Sequence, residues 1–373
     1  MSSLKEEPYA ISGEFSTVYI EYFSTVLYIS LILIVLLSLG LMYGCAKPAS
    51  PEPAGSEGQT EVTAAPGEVI EISYGHGFMP ETPHHKAALK FKEEVEAKSN
   101  GQVIVNIFPS GQLGSAREMF EGVQMGTQEI ALLPTARISG FAPELQLFDL
   151  PFLFPDRETA YEIMDGEIGS ALLDTLSTQS VKGVAFYEDG FKHFTSNQDI
   201  SSLSAFSGQK FRTMESPIIM SQFKSMNSNP VPIDFAELYN SLQLGVVDGQ
   251  ENPLVTIDNM KFYEVQKYLL ISEHAYLGHV LIFGDEWFNS LPEDIQTILY
   301  ETGREIAVWQ RAEVQKEEAK YLDNIKAYGT TVIELSPEER EKMKEATKGV
   351  HQEYVKLFGD TLLNKVYEVT GQQ

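Results

Sequence analysis

The chain has 373 residues, 43% of them hydrophobic, enough to bury a full core and long enough to favour two domains over one. Its 53 acidic and 27 basic residues leave a formal net charge of −26, so no basic surface is available to displace counterions from nucleic-acid phosphates. The single cysteine, Cys45, excludes an intrachain disulfide and any cysteine-based zinc site.

Cys45 closes the apolar run "LYISLILIVLLSLGLMYGC", about as long as a membrane span needs. Behind it, "AKPASPEPAGSEGQTEVTAAPGE" has no apolar period and reads as a disordered tether. Residues 1–45 are therefore expected to be a signal, lipoprotein or membrane-anchor segment, and 46–67 the tether. Gly44 suits cleavage before a lipid-bearing Cys45, whereas Met42, Tyr43 and the lack of a positive leader suit an uncleaved helix. Both readings place everything from about residue 68 outside the cytoplasm.

From Glu68 the pattern alternates. "EVIEISYG" has the period of a strand, "HHKAALKFKEEVEAKSNG" helical spacing with a glycine stop, "QVIVNIFP" a strand again, and "SAREMFEGVQMG" a helix behind a serine cap. This rhythm predicts parallel strands covered by helices. Further strands are expected at "VKGVAFYE", "QKFRTM" and "YLLIS", with helices near 156–178, 216–226 and 234–244. In "VVDGQENPL", Val246 and Val247 read as a strand end, Asp248-Gly249 as a turn, and Pro253 as the first residue of a helix. Gln250, Glu251 and Asn252 would then sit at a strand-to-helix junction, where open α/β folds bind ligands.

From Leu291 to Tyr328 a helix of roughly 37 residues, ~55 Å long, is expected to start at Pro292 and stop at Gly329. Its ends are apolar and "QKEEAK" in its middle is polar, which suits a helix seated on two lobes and exposed between them.

Arg212, in "GQKFRTMESP", is placed to project into the same crevice as the "GQENP" junction, and its planar fork suits a carboxylate. Pairing with an acid of its own domain is the equal alternative. Lys192, in "DGFKHFTSN", is open to the same two readings, with a solvated lysine favoured. Enzyme chemistry finds little support. Asp248 and Glu251 share one turn, His84 and His85 are adjacent and point apart, and neither a phosphate-binding loop nor a nucleophile elbow is present. Neither a catalytic residue nor a cofactor is expected.

The blocks "FPSGQLGSAREMFEGVQMGTQEIAL", "FDLPFLFPDRETAY", "NPVPIDFAELYNSLQLGVVDGQENPL" and "KFYEVQKYL" resemble the extracytoplasmic solute receptors of tripartite ATP-independent periplasmic (TRAP) transporters, the DctP-type family. The similarity runs in unbroken order from about Glu68 to the C-terminus. It implies a two-lobed, Venus-flytrap α/β fold with a long helix spanning both lobes, closing around an organic acid and delivering it to a membrane permease. Lobe I is expected at 68–189 plus 278–317 and lobe II at 190–277 plus 318–373. By resemblance Arg212 pairs with the ligand carboxylate, Asn252 bonds the same group, Phe235 walls the pocket, and Arg137 faces it. Pro134 stands where sialic-acid members carry a glutamate. Lys192 takes the place of a second arginine, and His76 matches a histidine near the ligand. A secreted two-lobed hydrolase would differ by a nucleophile or acid pair in the pocket, and a structural surface lipoprotein by lacking any ligand-dependent melting shift.

Overall fold

A computed structural model describes residues 69–372. The expectations for residues 1–67, Cys45 included, lie outside the described residues.

The chain begins with β1 (Ile70–His76), α1 (Pro83–Lys98), β2 (Val103–Phe108), α2 (Ala116–Gln124) and β3 (Ile130–Pro134). Thr82 caps α1, whose first residue is Pro83, and Ser115 with Glu118 forms a reciprocal capping box on α2. The three strands are parallel in the order β2-β1-β3, as the alternating pattern predicts. After α3 (Arg157–Asp165) and α4 (Glu167–Thr175) comes the 16-residue β4 (Val181–Ser196). The expected helix at 156–178 is thus broken in two at Gly166, whose extended backbone no helix can carry.

The second half runs β5 (Lys210–Thr213), α5 (Pro217–Ser225), β6 (Asn229–Pro232), α6 (Phe235–Gln243), β7 (Gly249–Pro253), α7 (Leu254–Asn259), β8 (Tyr268–Ile271) and β9 (Tyr276–Gly284). Then follow α8 (Asp285–Ser290), α9 (Glu293–Tyr328), β10 (Thr331–Glu334), α10 (Pro337–Phe358) and α11 (Thr361–Thr370).

The sheet is not wholly parallel. β9 runs antiparallel to β3 and β4, and β4 antiparallel to β7 and β8. β4 is the strand shared by both lobes: Val181 to Phe191 pair with β9, and Lys192 to Ser196 with β7. Near the end of the first stretch the register slips at Asp189, which has no partner on β9, and Gly190 follows with φ +116°. This bulge bends β4 where it passes from one lobe to the other.

The long helix forms as predicted, with Pro292 at its N-cap and Gly329, φ +109°, at its C-cap. Ile295, Leu299, Ile306 and Ala307 pack into the first lobe with Tyr74 and Phe91, and Tyr321 and Ile325 into the second with Leu238 and Phe262. No residue from 315 to 320 is buried. Gly303 does not interrupt the helix. It lets α9 approach the sheet, since a Cβ there would stand 2.9 Å from Leu281 and Val184. Tyr187 donates a 2.9 Å hydrogen bond to the Gly303 carbonyl at that contact.

The C-terminal helices serve both lobes. Met343 joins Phe194 and Phe211, whereas Val350, Tyr354, Leu363 and Val366 pack with Phe148, Ala160 and Ile163 of the first half. Among the described residues, no helix is long and apolar enough to cross a membrane.

Candidate ligand-binding site

The "VVDGQENPL" segment differs from expectation. Val246 to Asp248 form a bend, and the strand is β7 itself, with Gln250, Glu251 and Asn252 buried inside the sheet and Pro253 capping α7. Gly249 is required by packing rather than by a turn, because a Cβ there would meet the Thr195 carbonyl at 2.3 Å.

The pleat then sorts the side chains. On β7, Gln250 and Asn252 share one face and Glu251 takes the other. Arg212 on β5 stands opposite Gln250, so it shares the face of Asn252. That face fronts a cavity of about 490 Å³ lined from both lobes. Arg212, Asn252, Phe235 and Arg137 all line it, and the structure thereby brings together four of the six expected residues.

Arg212 is 1% exposed. Its Nε donates to the Ile233 carbonyl at 2.9 Å, its guanidinium lies 6.0 Å from the Phe235 ring centre, and its Nη2 has no partner. Burial, reinforced by the neighbouring Arg137 charge, brings its pKa down to about 9. It remains a cation at neutral pH, short of an anion. Arg137 pairs through Nη2 with Asp234, while its Nη1 is buried without a partner. Asn252 donates to Gln250 Oε1, and Gln250 donates to Thr195 at 3.0 Å, so the amide that faces the cavity is held in place.

Lys192 and His76 do not line the cavity. Lys192 sits on the opposite face, where its Nζ lies 2.7 Å from Glu251 and is wholly buried. Glu251 also contacts His274 at 2.7 Å and accepts from Gln222 at 3.0 Å. Burial alone would raise the Glu251 carboxyl, but Lys192 and His274 outweigh it and hold the pKa at about 2. His76 lies behind the wall, 3.2 Å from His85, with its Nδ1 accepting from the Phe78 amide. Burial, with the neighbouring His85, lowers its pKa to about 3.

Among the polar lining residues that the sequence did not assign to the site are Asp189 and His279. Asp189 is 2% exposed; its Oδ2 accepts from Thr256 at 2.8 Å and its Oδ1 has no hydrogen-bond partner. Burial raises its pKa to about 7, against the bond from Thr256. His279 on β9 also lines the cavity, packs against Phe78 with ring centres 4.7 Å apart, and is kept neutral by burial, its pKa lowered to about 3. The signal for Asp189 was present, since Asp-Gly inside an otherwise aromatic strand marks a bulge.

A cavity walled by two lobes, holding the buried guanidinium of Arg212 without an anion, is the arrangement of a solute-binding receptor. The chain belongs to the DctP family of bacterial extracellular solute-binding proteins, family 7, whose model matches residues 74–357. It is 33% identical over 310 residues to the C4-dicarboxylate-binding periplasmic protein DctP of Rhodobacter capsulatus, covering 82% of this chain and 92% of that protein. Among solved structures, a TRAP periplasmic solute-binding protein from Desulfovibrio salexigens with bound orotic acid is 38% identical, with a TM-score of 0.78 over 81% of this chain and 99% of that one. A sugar-acid-binding protein from Advenella mimigardefordensis in complex with galactonate is 33% identical, with a TM-score of 0.79 over 82% and 98% of the two chains. The protein is a two-lobed receptor of the TRAP type.

Proposed function

We propose that this receptor captures an organic acid by its carboxylate in the cavity and delivers it to the permease of a TRAP transporter. The observation that carries the reading is the buried, unpartnered Nη2 of Arg212, on the cavity face beside the unpartnered Nη1 of Arg137. Arg212 supplies charge and directed donors, Asn252 bonds the same carboxylate, Phe235 walls it, and Arg137 strengthens the field. Lys192 and His76 act from behind, the first by fixing β7 through Glu251, the second by fixing Phe78. The relatives' ligands, a C4-dicarboxylate, orotic acid and galactonate, share a carboxylate and differ elsewhere. Lobe I takes 68–189 with 278–317 and lobe II 190–277 with 318–373, the chain crossing at the Asp189-Gly190 bulge of β4 and at Leu277-Gly278 of β9. The receptor is held at the outer face of the membrane by a lipid on Cys45 or by an uncleaved N-terminal helix.

The test is a thermal-shift and calorimetric screen of the folded domain against organic acids and neutral sugars. At a hundredfold excess over Kd, a bound acid stabilises the fold by about 2.7 kcal/mol. Stabilisation by a neutral sugar and by no acid would overturn the reading.

A further inference from the structure

The cavity has a second pole. Opposite in charge to the arginines, Asp189 presents a carboxyl oxygen that nothing in the protein satisfies, although the residue is 2% exposed. Its other oxygen is fixed by Thr256 at 2.8 Å, so the carboxyl is oriented rather than free to turn. His84 does not satisfy the open oxygen. Its Nε2 stands 3.6 Å from Oδ1 and is committed to the Glu188 carbonyl at 2.7 Å. A carbonyl only accepts, so Nε2 carries the proton and donates there. A buried acceptor without a donor is costly, and in a binding cavity the donor missing from the protein is supplied by the ligand.

Six further lining residues, Phe78, Met79, Met119, Met214, Phe235 and Met260, are apolar. Such a surface favours an aromatic or aliphatic body, which methionine accommodates readily. Where Asp189 is ionised, a second carboxylate directed at it would meet a like charge, which disfavours a dicarboxylate.

We propose that Asp189 is the second anchor of the site, accepting a hydrogen bond from a hydroxyl of an apolar-bodied monocarboxylic acid whose carboxylate Arg212 holds. This rests on the carboxylate-receptor reading above and narrows its substrate class. Because Asp189 is the bulged residue where β4 passes between the lobes, a ligand bonded to it is gripped at the hinge itself.

The experiment titrates phenylacetate, mandelate, 3-hydroxyphenylacetate, 4-hydroxyphenylacetate and succinate calorimetrically into the parent protein and into Asp189→Ala, Asp189→Asn and Arg212→Ala. In the parent, at least one hydroxylated acid is expected to bind about tenfold or more tightly than phenylacetate, the range for a hydrogen bond to a charged group. Asp189→Ala is expected to close that gap while still binding phenylacetate. Asp189→Asn, nearly isosteric, is expected to narrow it and carries the test should the alanine variant not fold. No gap in the parent, a gap that survives both substitutions, or succinate binding more tightly than every monocarboxylate overturns the inference. In those cases the receptor reading stands as long as binding depends on Arg212. Absence of binding by every acid, or binding indifferent to Arg212→Ala, brings down both.

Discussion

Lys192 and Glu251 form a 2.7 Å ion pair on the strand face opposite the one that carries Arg212 and Asn252. A lysine that by resemblance belongs at the ligand is thus a structural partner of the strand that presents Asn252. Replacing Lys192 with methionine leaves Glu251 buried with only neutral donors, and is expected to cost the fold roughly 3 kcal/mol. Urea unfolding followed by circular dichroism measures it. Ligand affinity of the folded variant is expected to change far less than stability, and the reverse pattern would place Lys192 in the ligand shell.

Arg212 is the opposite case. Its substitution by alanine is expected to lose roughly 2 to 5 kcal/mol of binding, because a desolvated carboxylate is left without its partner. Arg212→Lys is expected to recover only part, since an ammonium provides a point charge without the fork. Calorimetric titration with the best acid reads both, and an unchanged Kd in Arg212→Ala would remove the residue from the site.

Closure should be visible in solution. The lobes are joined by β4, β9 and the long α9, and β4 bends at Gly190 with φ +116°. Ligand is expected to shift the population toward a closed form, reducing the radius of gyration in small-angle scattering. Gly190→Val puts a β-branched side chain into a left-handed conformation and is expected to cost about 1 to 3 kcal/mol of stability. A scattering profile unchanged at saturating ligand would argue against a hinge.

Acid is expected to destabilise the protein. His76, His193 and His279 are held neutral by burial with pKa about 3, and His84 is lowered by the same cause. Between pH 6.5 and 3 these groups take up protons only on unfolding, so their contribution is present above pH 6.5 and lost as pH falls. Asp149 and Asp189, raised by burial to about 6 and about 7, act in the opposite sense between pH 3.8 and those values, because there the folded state holds the protons. His85, His274 and His351 are lowered and Glu188 and Asp258 raised in the same ways, so seven histidines stand against four carboxyls and unfolding takes up protons near pH 5, with stability falling as pH falls. Below pH 4.5 protonation of Glu251 on unfolding adds to the loss. Chemical denaturation at pH 7, 6 and 5 measures the slope, and a stability that rises on acidification would contradict this assignment.

The sequence alone determined the features written in local signals. Pro292, Gly329 and the apolar ends around Ile295 and Ile325 define α9 and its two seats, because caps and periodicity act within a few residues. The parallel β1, β2 and β3 and their capped helices were legible for the same reason. Tertiary structure decided the rest. Whether Gln250-Glu251-Asn252 formed a junction or a buried strand depended on β4 and β5 closing on either side, and the period-two pleat then sent Asn252 to the cavity and Glu251 to Lys192. Lys192 and Arg212 carry the same charge in sequence. Only the register of strands brought together from 20 to 60 residues apart fixes which cation meets an internal acid and which is left waiting for an external one.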